Sequence, residues 1–145
     1  MAMTFSYQRL GLVKRIQANW TSDAAGAASG TTDAVLLGEL MRAVTDPVDG
    51  PTDNYDVTLS DEFGANLLQY GLTRLGGPVD NLGDLDTADT EDVPCTISDE
   101  KADTDARGRI ESYVPIAGKL TVTVANAGNA KSGIVHLFLR GDILG

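Results

Sequence analysis

The sequence has little of what catalytic and metal sites are usually built from. Of its 145 residues, one is cysteine, Cys95, and one is histidine, His136. A lone cysteine makes no internal disulfide and no thiolate metal cluster. Between Pro94 and Thr96 it reads as a small packing residue, and the chain suits a reducing cytoplasm. A lone histidine would have to serve any Ser-His-Asp or Cys-His pairing. Set inside a strand-like segment, His136 reads as a satisfied or interfacial residue. Aromatic residues make up only 6%, so a core must be built from Val, Leu, Ile and Ala. Cations are also scarce: 11 Lys and Arg against 21 Asp and Glu, a formal charge of -10. That argues against nucleic acid or an anionic membrane as partner, because both recruit clustered cations. No apolar stretch is long enough to span a bilayer. The opening MAMTFSYQRLGLVKRIQANW has no signal-peptide apolar run, and the Asn19-Trp20-Thr21 sequon is read as chance.

Each motif that approaches a known chemistry fails at a nameable residue. Gly26-Ala27-Ala28-Ser29-Gly30 resembles a nucleophile elbow, but its Ser stands one place late. Gly128-Asn129-Ala130-Lys131-Ser132 has Ala130 where a phosphate loop needs Gly before its Lys. Asp103-Thr104-Asp105-Ala106-Arg107-Gly108 opens like a calcium loop, yet Arg107 takes a ligand position and Val114 stands where the closing Glu belongs. Asp84 and Asp86 begin another that ends at Ala88. Asp46, Asp49, Asp53 and Asp56 are the remaining calcium candidates, against a solvated acidic loop as the plainer reading. Among 21 carboxylates nothing singles out a pair for glycoside cleavage. The expectation is a protein that is not an enzyme, with no cofactor and no metal.

What is present is a pattern of short strands and turns, with 16 Gly to make them. Leu12, Lys14, Ile16, Ala18 and Trp20 alternate with Val13, Arg15, Gln17 and Asn19, as in a half-buried strand. Ser22–Thr32 is a small-residue loop. Ala34–Val44 is ambiguous: Leu36, Leu37, Leu40, Met41 and Val44 have helical spacing, but Gly38 would cost a helix about 1 kcal/mol. A strand over Glu39–Thr45, closed by Pro47, is the preferred reading, with residues 46–54 a turn region. Tyr55, Val57 and Leu59 alternate with Asp56, Thr58 and Ser60, and Asp61–Gly64 forms the turn after them. Ala65–Leu75 has the makings of a short helix. Between Pro78 and Glu111 eleven carboxylates face Lys101, Arg107 and Arg109, a net -8, so most of the excess charge lies there. Val93–Ile97 is a candidate short strand inside it, and Ile110–Ile116 a further strand. Lys119–Ala125 and Ile134–Arg140, separated by residues 126–133, read as a β-hairpin. The whole predicts a single all-β domain over 1–145, a β-sandwich or barrel with a C-terminal β-hairpin. To it are added an extended N-terminal arm, residues 1–10, and a long acidic loop insert, residues 76–109.

Two stretches carry a resemblance. Pro51–Gly64, PTDNYDVTLSDEFG, resembles a segment of small structural proteins of tailed bacteriophages, and KLTVTVANAGNAKSGIVHLFLR, residues 119–140, resembles their closing hairpin. Together they cover about a quarter of the chain. The resemblance implies a virion component, a capsid decoration or cement protein with the major capsid protein as partner and self-association as a dimer or trimer. It carries no catalytic residue. A tail or fibre-base protein, or a host-surface glycan-binding module using Trp20, Tyr55, Tyr70 or Tyr113, is the alternative. Candidate partner-binding residues are Arg9, Lys14 and Arg15 at the basic start, with Trp20, His136 and Phe138.

Overall fold

The computed structural model describes residues 2–51, 55–64, 67, 91–94, 96–98 and 111–145. Every regular element among them is a strand and every pairing is antiparallel, so the protein is mainly β. The strands are β1 (Ala2–Leu10), β2 (Val13–Thr21), β3 (Ala28–Thr31), β4 (Val35–Asp49) and β5 (Asp56–Ser60). They continue with β6 (Glu91–Pro94), β7 (Thr96–Ser98), β8 (Glu111–Gly118), β9 (Thr121–Ala125) and β10 (Ser132–Leu144). A seven-stranded sheet runs β1-β2-β10-β4-β8-β7, with β6 also beside β4. A three-stranded sheet runs β3-β9-β5. The large sheet does not close on itself among the described residues, so no barrel is formed there.

Alternation builds the core. Ile16, Ala18 and Trp20 of β2, Val135, Leu137 and Leu139 of β10, and Leu36, Leu40 and Ala43 of β4 are buried on one face of the large sheet. Val57, Leu59, Val122, Val124 and Ala28 of the small sheet join the same cluster. Each fully buried Leu, Ile or Val contributes about 1.5–3 kcal/mol through the apolar surface it removes from water. The ambiguous segment is a fifteen-residue strand, β4. Its helical spacing comes from a β-bulge. Leu139 lies opposite Leu40 while Phe138 lies opposite Arg42, so Met41 is the extra residue. The inward set therefore changes phase, from Leu36 and Leu40 to Ala43 and Thr45.

Four of the chain crossings between the sheets are tied in pairs. The β3–β4 and β8–β9 crossings meet at Thr32, which is buried. Its N–H donates to the Leu120 carbonyl at 2.8 Å, and its Oγ1 accepts from the Leu120 N–H at 3.1 Å. The β2–β3 and β9–β10 crossings meet at Ser22, whose N–H donates to the Lys131 carbonyl at 2.8 Å and whose Oγ accepts from the Lys131 N–H at 2.8 Å. Asp23 holds the first of these crossings. Its Oδ1 accepts from the Ala25 and Ala27 N–H groups, and the Ala27 bond above all lowers its pKa.

Three sequence expectations are corrected. The C-terminal hairpin does not exist: β9 pairs with β3 and β5, and β10 with β2 and β4. The chain changes sheets between them, which matches β9 being apolar on one face and β10 on both. The strand expected to end before Pro47 runs to Asp49. Among the described residues β6 pairs with β4 only as far as Thr45, so Pro47 stands where one side of β4 has no described partner and a missing N–H is tolerated. The expected arm is over Ala2–Leu10 an edge strand paired along its length with β2. Met3, Phe5 and Tyr7 alternate toward the core, a period-2 signal at the start of the chain. Within the expected acidic loop, 91–94 and 96–98 are strands β6 and β7. The helix expected over Ala65–Leu75 lies, apart from buried Leu67, outside the described residues.

Candidate functional site

The outward face of the large sheet is where the candidate residues gather. On the two central strands of that face, residues alternate with the buried set: Val13, Arg15, Gln17 and Asn19 on β2, and Ile134, His136, Phe138 and Arg140 on β10. Register lines them up across strands. Gln8, Arg15, Phe138 and Arg42 form one row over β1, β2, β10 and β4. Ser6, Gln17, His136 and Val44 form the next, and Thr4, Asn19, Ile134 and Asp46 the third.

The first row is held by polar and cation–π contacts. The Arg42 guanidinium carbon sits 5.2 Å from the Phe138 ring centroid, where the negative face of the ring attracts it. On the other side of Phe138, Arg15 Nη2 donates to Gln8 Oε1. His136 links the second row to the third, with Nδ1 3.4 Å from Gln17 Nε2 and Nε2 3.4 Å from Asp46 Oδ2. Arg140 closes the far end through its Nε and Nη2 donors to Glu39 Oε1, at 3.2 and 2.6 Å. The pair is solvent-exposed, so screening leaves it little net worth. An open depression of about 420 Å³ lies at the other end, lined among others by Thr4, Asn19, Trp20, Val48, Gly133 and Ile134.

Of the six residues singled out in the sequence, Arg15, His136 and Phe138 come together on this face. Arg9 and Lys14 lie at the β1–β2 turn. Arg9 donates to the Ile143 carbonyl at 3.3 Å, and Lys14 to the Gly11 carbonyl, with its Nζ 4.0 Å from Asp142 Oδ1. Trp20 is only 3% exposed and belongs to the core. Its ring centroid is 5.8 Å from that of Tyr55, which precedes β5, so the pair joins the two sheets. Arg42, Gln17 and Arg140 were missed, although the outward parity of β10 and β4 would have found them. The four-aspartate calcium candidate does not gather: among the described residues no three His, Cys, Asp or Glu side chains stand close enough to hold a metal ion. Asp53 lies outside the described residues.

One titrating pair anchors β1. Tyr7 donates from its hydroxyl to Asp33 Oδ1 and accepts from the Ala34 N–H at 3.3 Å. Burial, then the Asp33 bond, raises the Tyr7 pKa, while the Tyr7 hydroxyl holds the Asp33 carboxyl below its ordinary 3.8. A depressed carboxyl contributes stability that is present above its unfolded pKa and is lost as pH falls through the folded value. Tyr7→Phe is therefore expected to raise the Asp33 pKa, read by carboxyl-carbon NMR titration. The variant's stability should also depend less on pH below about 4 than the wild type's. An unmoved Asp33 titration would refute the pairing.

No protein-family model and no curated protein sequence matches this chain.

Proposed function

We propose that this chain is a non-enzymatic structural protein that docks onto a larger assembly through the outward face of its large sheet. The setting we propose is the virion of a tailed phage, on the capsid surface, where it decorates or stabilises the shell and associates with copies of itself. The observation that carries the docking is the in-register row Arg15–Phe138–Arg42, flanked by His136 and Arg140. Arg and aromatic side chains are the types enriched where interfaces bind, and a sheet holds them on a rigid support. The virion setting is supported by the sequence resemblance at Pro51–Gly64 and, as sequence alone because β9 and β10 form no hairpin, at residues 119–140. The partner is then the major capsid protein, offering a surface that accepts hydrogen bonds from guanidinium groups and covers an aromatic ring.

Mass spectrometry of separated heads and tails from particles carrying this chain tests the setting. A decoration protein is abundant in tail-free heads; its absence there would exclude the capsid surface. Phe138→Ala and Arg42→Ala on the outward face are expected to reduce head binding while leaving the fold in place. Undiminished binding by both would exclude this face.

A further inference from the structure

We infer that β1 is a pairing edge for a second copy of this chain, joining two large sheets antiparallel about Ser6. The inference gives a surface to the self-association named above and rests on that part alone; capsid location is independent of it.

The β1–β2 turn decides which way the edge faces. Gly11 has φ of 73° and Leu12 does not share the positive sign, a type II′ two-residue turn. In such a hairpin the flanking pair, Leu10 and Val13, exchanges both backbone bonds. Counting back, Ala2, Thr4, Ser6 and Gln8 bond to β2. Met3, Phe5, Tyr7 and Arg9 then direct their N–H and C=O groups away from it. Among the described residues no strand pairs on that side.

Native sheets blunt such edges with short strands, charge, proline or bulges. Among the described residues the other edge strands are short: β7 has three residues, β3 and β6 four, and β5 five with Asp56 in it. β1 has nine, pairs without a register shift, and carries no proline, no carboxylate and one cation near its end, Arg9.

The occupant follows from self-complementarity. A two-fold centred on Ser6 pairs all nine residues and keeps outward-directed backbone groups facing one another. Phe5 meets Tyr7 of the second copy on the inward face, an aromatic cross-strand pair of the kind that stabilises sheets. Thr4 meets Gln8, and Ser6 meets Ser6. The two Arg9 side chains fall at opposite ends, next to Met3 of the other copy, so no like charges oppose each other. Closed two-fold pairing is also the commonest symmetry of soluble oligomers. An edge alone buries less than a standard interface, so the expected dimer is weak, in the micromolar range.

Sedimentation equilibrium on the full chain is expected to show a monomer–dimer equilibrium. Ser6→Lys, which sets two ammonium groups against each other at the two-fold, is expected to weaken it about tenfold or more. The melting temperature at low concentration should change little, because Ser6 is exposed and loses only a solvent-exposed bond, from its Oγ to Gln17 Oε1 at 3.1 Å. With Cys95→Ser as background, Ser6→Cys should cross-link to a dimer under mild oxidation much faster than Ser29→Cys on exposed β3. A wild-type chain that stays monomeric up to millimolar concentration overturns the inference. So does equal cross-linking at the two sites, or a Ser6→Lys variant that associates as well as wild type.

Discussion

Gly141→Ala is expected to destabilise the protein by about 3 kcal/mol or more, a large share of the roughly 5–15 kcal/mol that holds a domain folded. Gly141 lies opposite Gly38 where β10 passes β4. A Cβ on Gly141 would stand 1.9 Å from the Leu37 carbonyl oxygen and 2.8 Å from the Gly38 Cα. A Cβ on Gly38 would stand 2.2 Å from the Arg140 carbonyl oxygen. The obstructing atoms are backbone, so no side chain can swing aside. Both residues also hold positive φ, 154° and 138°, a conformation that costs an L-residue about 1–3 kcal/mol before any clash. Overpacking adds about 1–3 kcal/mol more. Urea unfolding of Gly141→Ala, Gly38→Ala and the double variant measures this. Each single change should be severe and the double sub-additive, since the first forces the two strands apart and relieves the second. A loss below about 1 kcal/mol for Gly141→Ala would mean that the strands do not approach this closely.

Trp20→Ala is expected to lose about 3–5 kcal/mol, the range for emptying a large aromatic site in a core. The indole contributes to two contacts at once. It lies over Gly133 of β10, where a Cβ would meet Trp20 Cζ2 at 2.7 Å, and it faces Tyr55 at a tilt of 40°. It therefore spans both sheets and cannot be replaced by movement of either. Tyr55→Ala measured singly and together with Trp20→Ala should give a coupling of about 0.5–1.5 kcal/mol for the ring pair. Because Trp20 is the only tryptophan, its fluorescence reports unfolding of the junction directly, and the transition should coincide with the loss of β circular dichroism. Were Trp20→Ala to leave stability intact and weaken only partner binding, Trp20 would be a surface contact and its place in the core wrong.

Local patterns were legible in the sequence to the extent that alternation was clean. β2, β5 and the two C-terminal strands follow their period-2 apolar residues, and the mainly-β class follows from them. Pairing was not legible. Adjacent strands in sequence pair often enough that β9 and β10 were joined as a hairpin. What separates them is the crossing at 126–131, fixed by Ser22 more than a hundred positions away. The bulge at Met41 blurred β4 because one inserted residue changes a two-residue period into an apparently helical one. β1 is harder to read: Met3, Phe5 and Tyr7 give a period-2 signal, but only three residues carry it and the basic residues that follow suggest a free arm. At the candidate site, Phe138, His136 and Arg15 were found by residue type. Their partners Arg42 and Gln17 become visible only when strands are aligned.

The central place of β10 has a consequence for how the protein is made. β2 and β4 have no common neighbour until β10 enters between them, and Gln17 and His136, which meet in the second row, stand 119 positions apart. A ribosome delivering about 5–20 residues per second therefore leaves both strands with an open side for several seconds. The large sheet is completed after synthesis of β10, not during the emergence of its earlier strands. Pairings this distant also place the chain among slow folders. For that interval the open sides of β2 and β4 are exposed to pairing with the wrong strand.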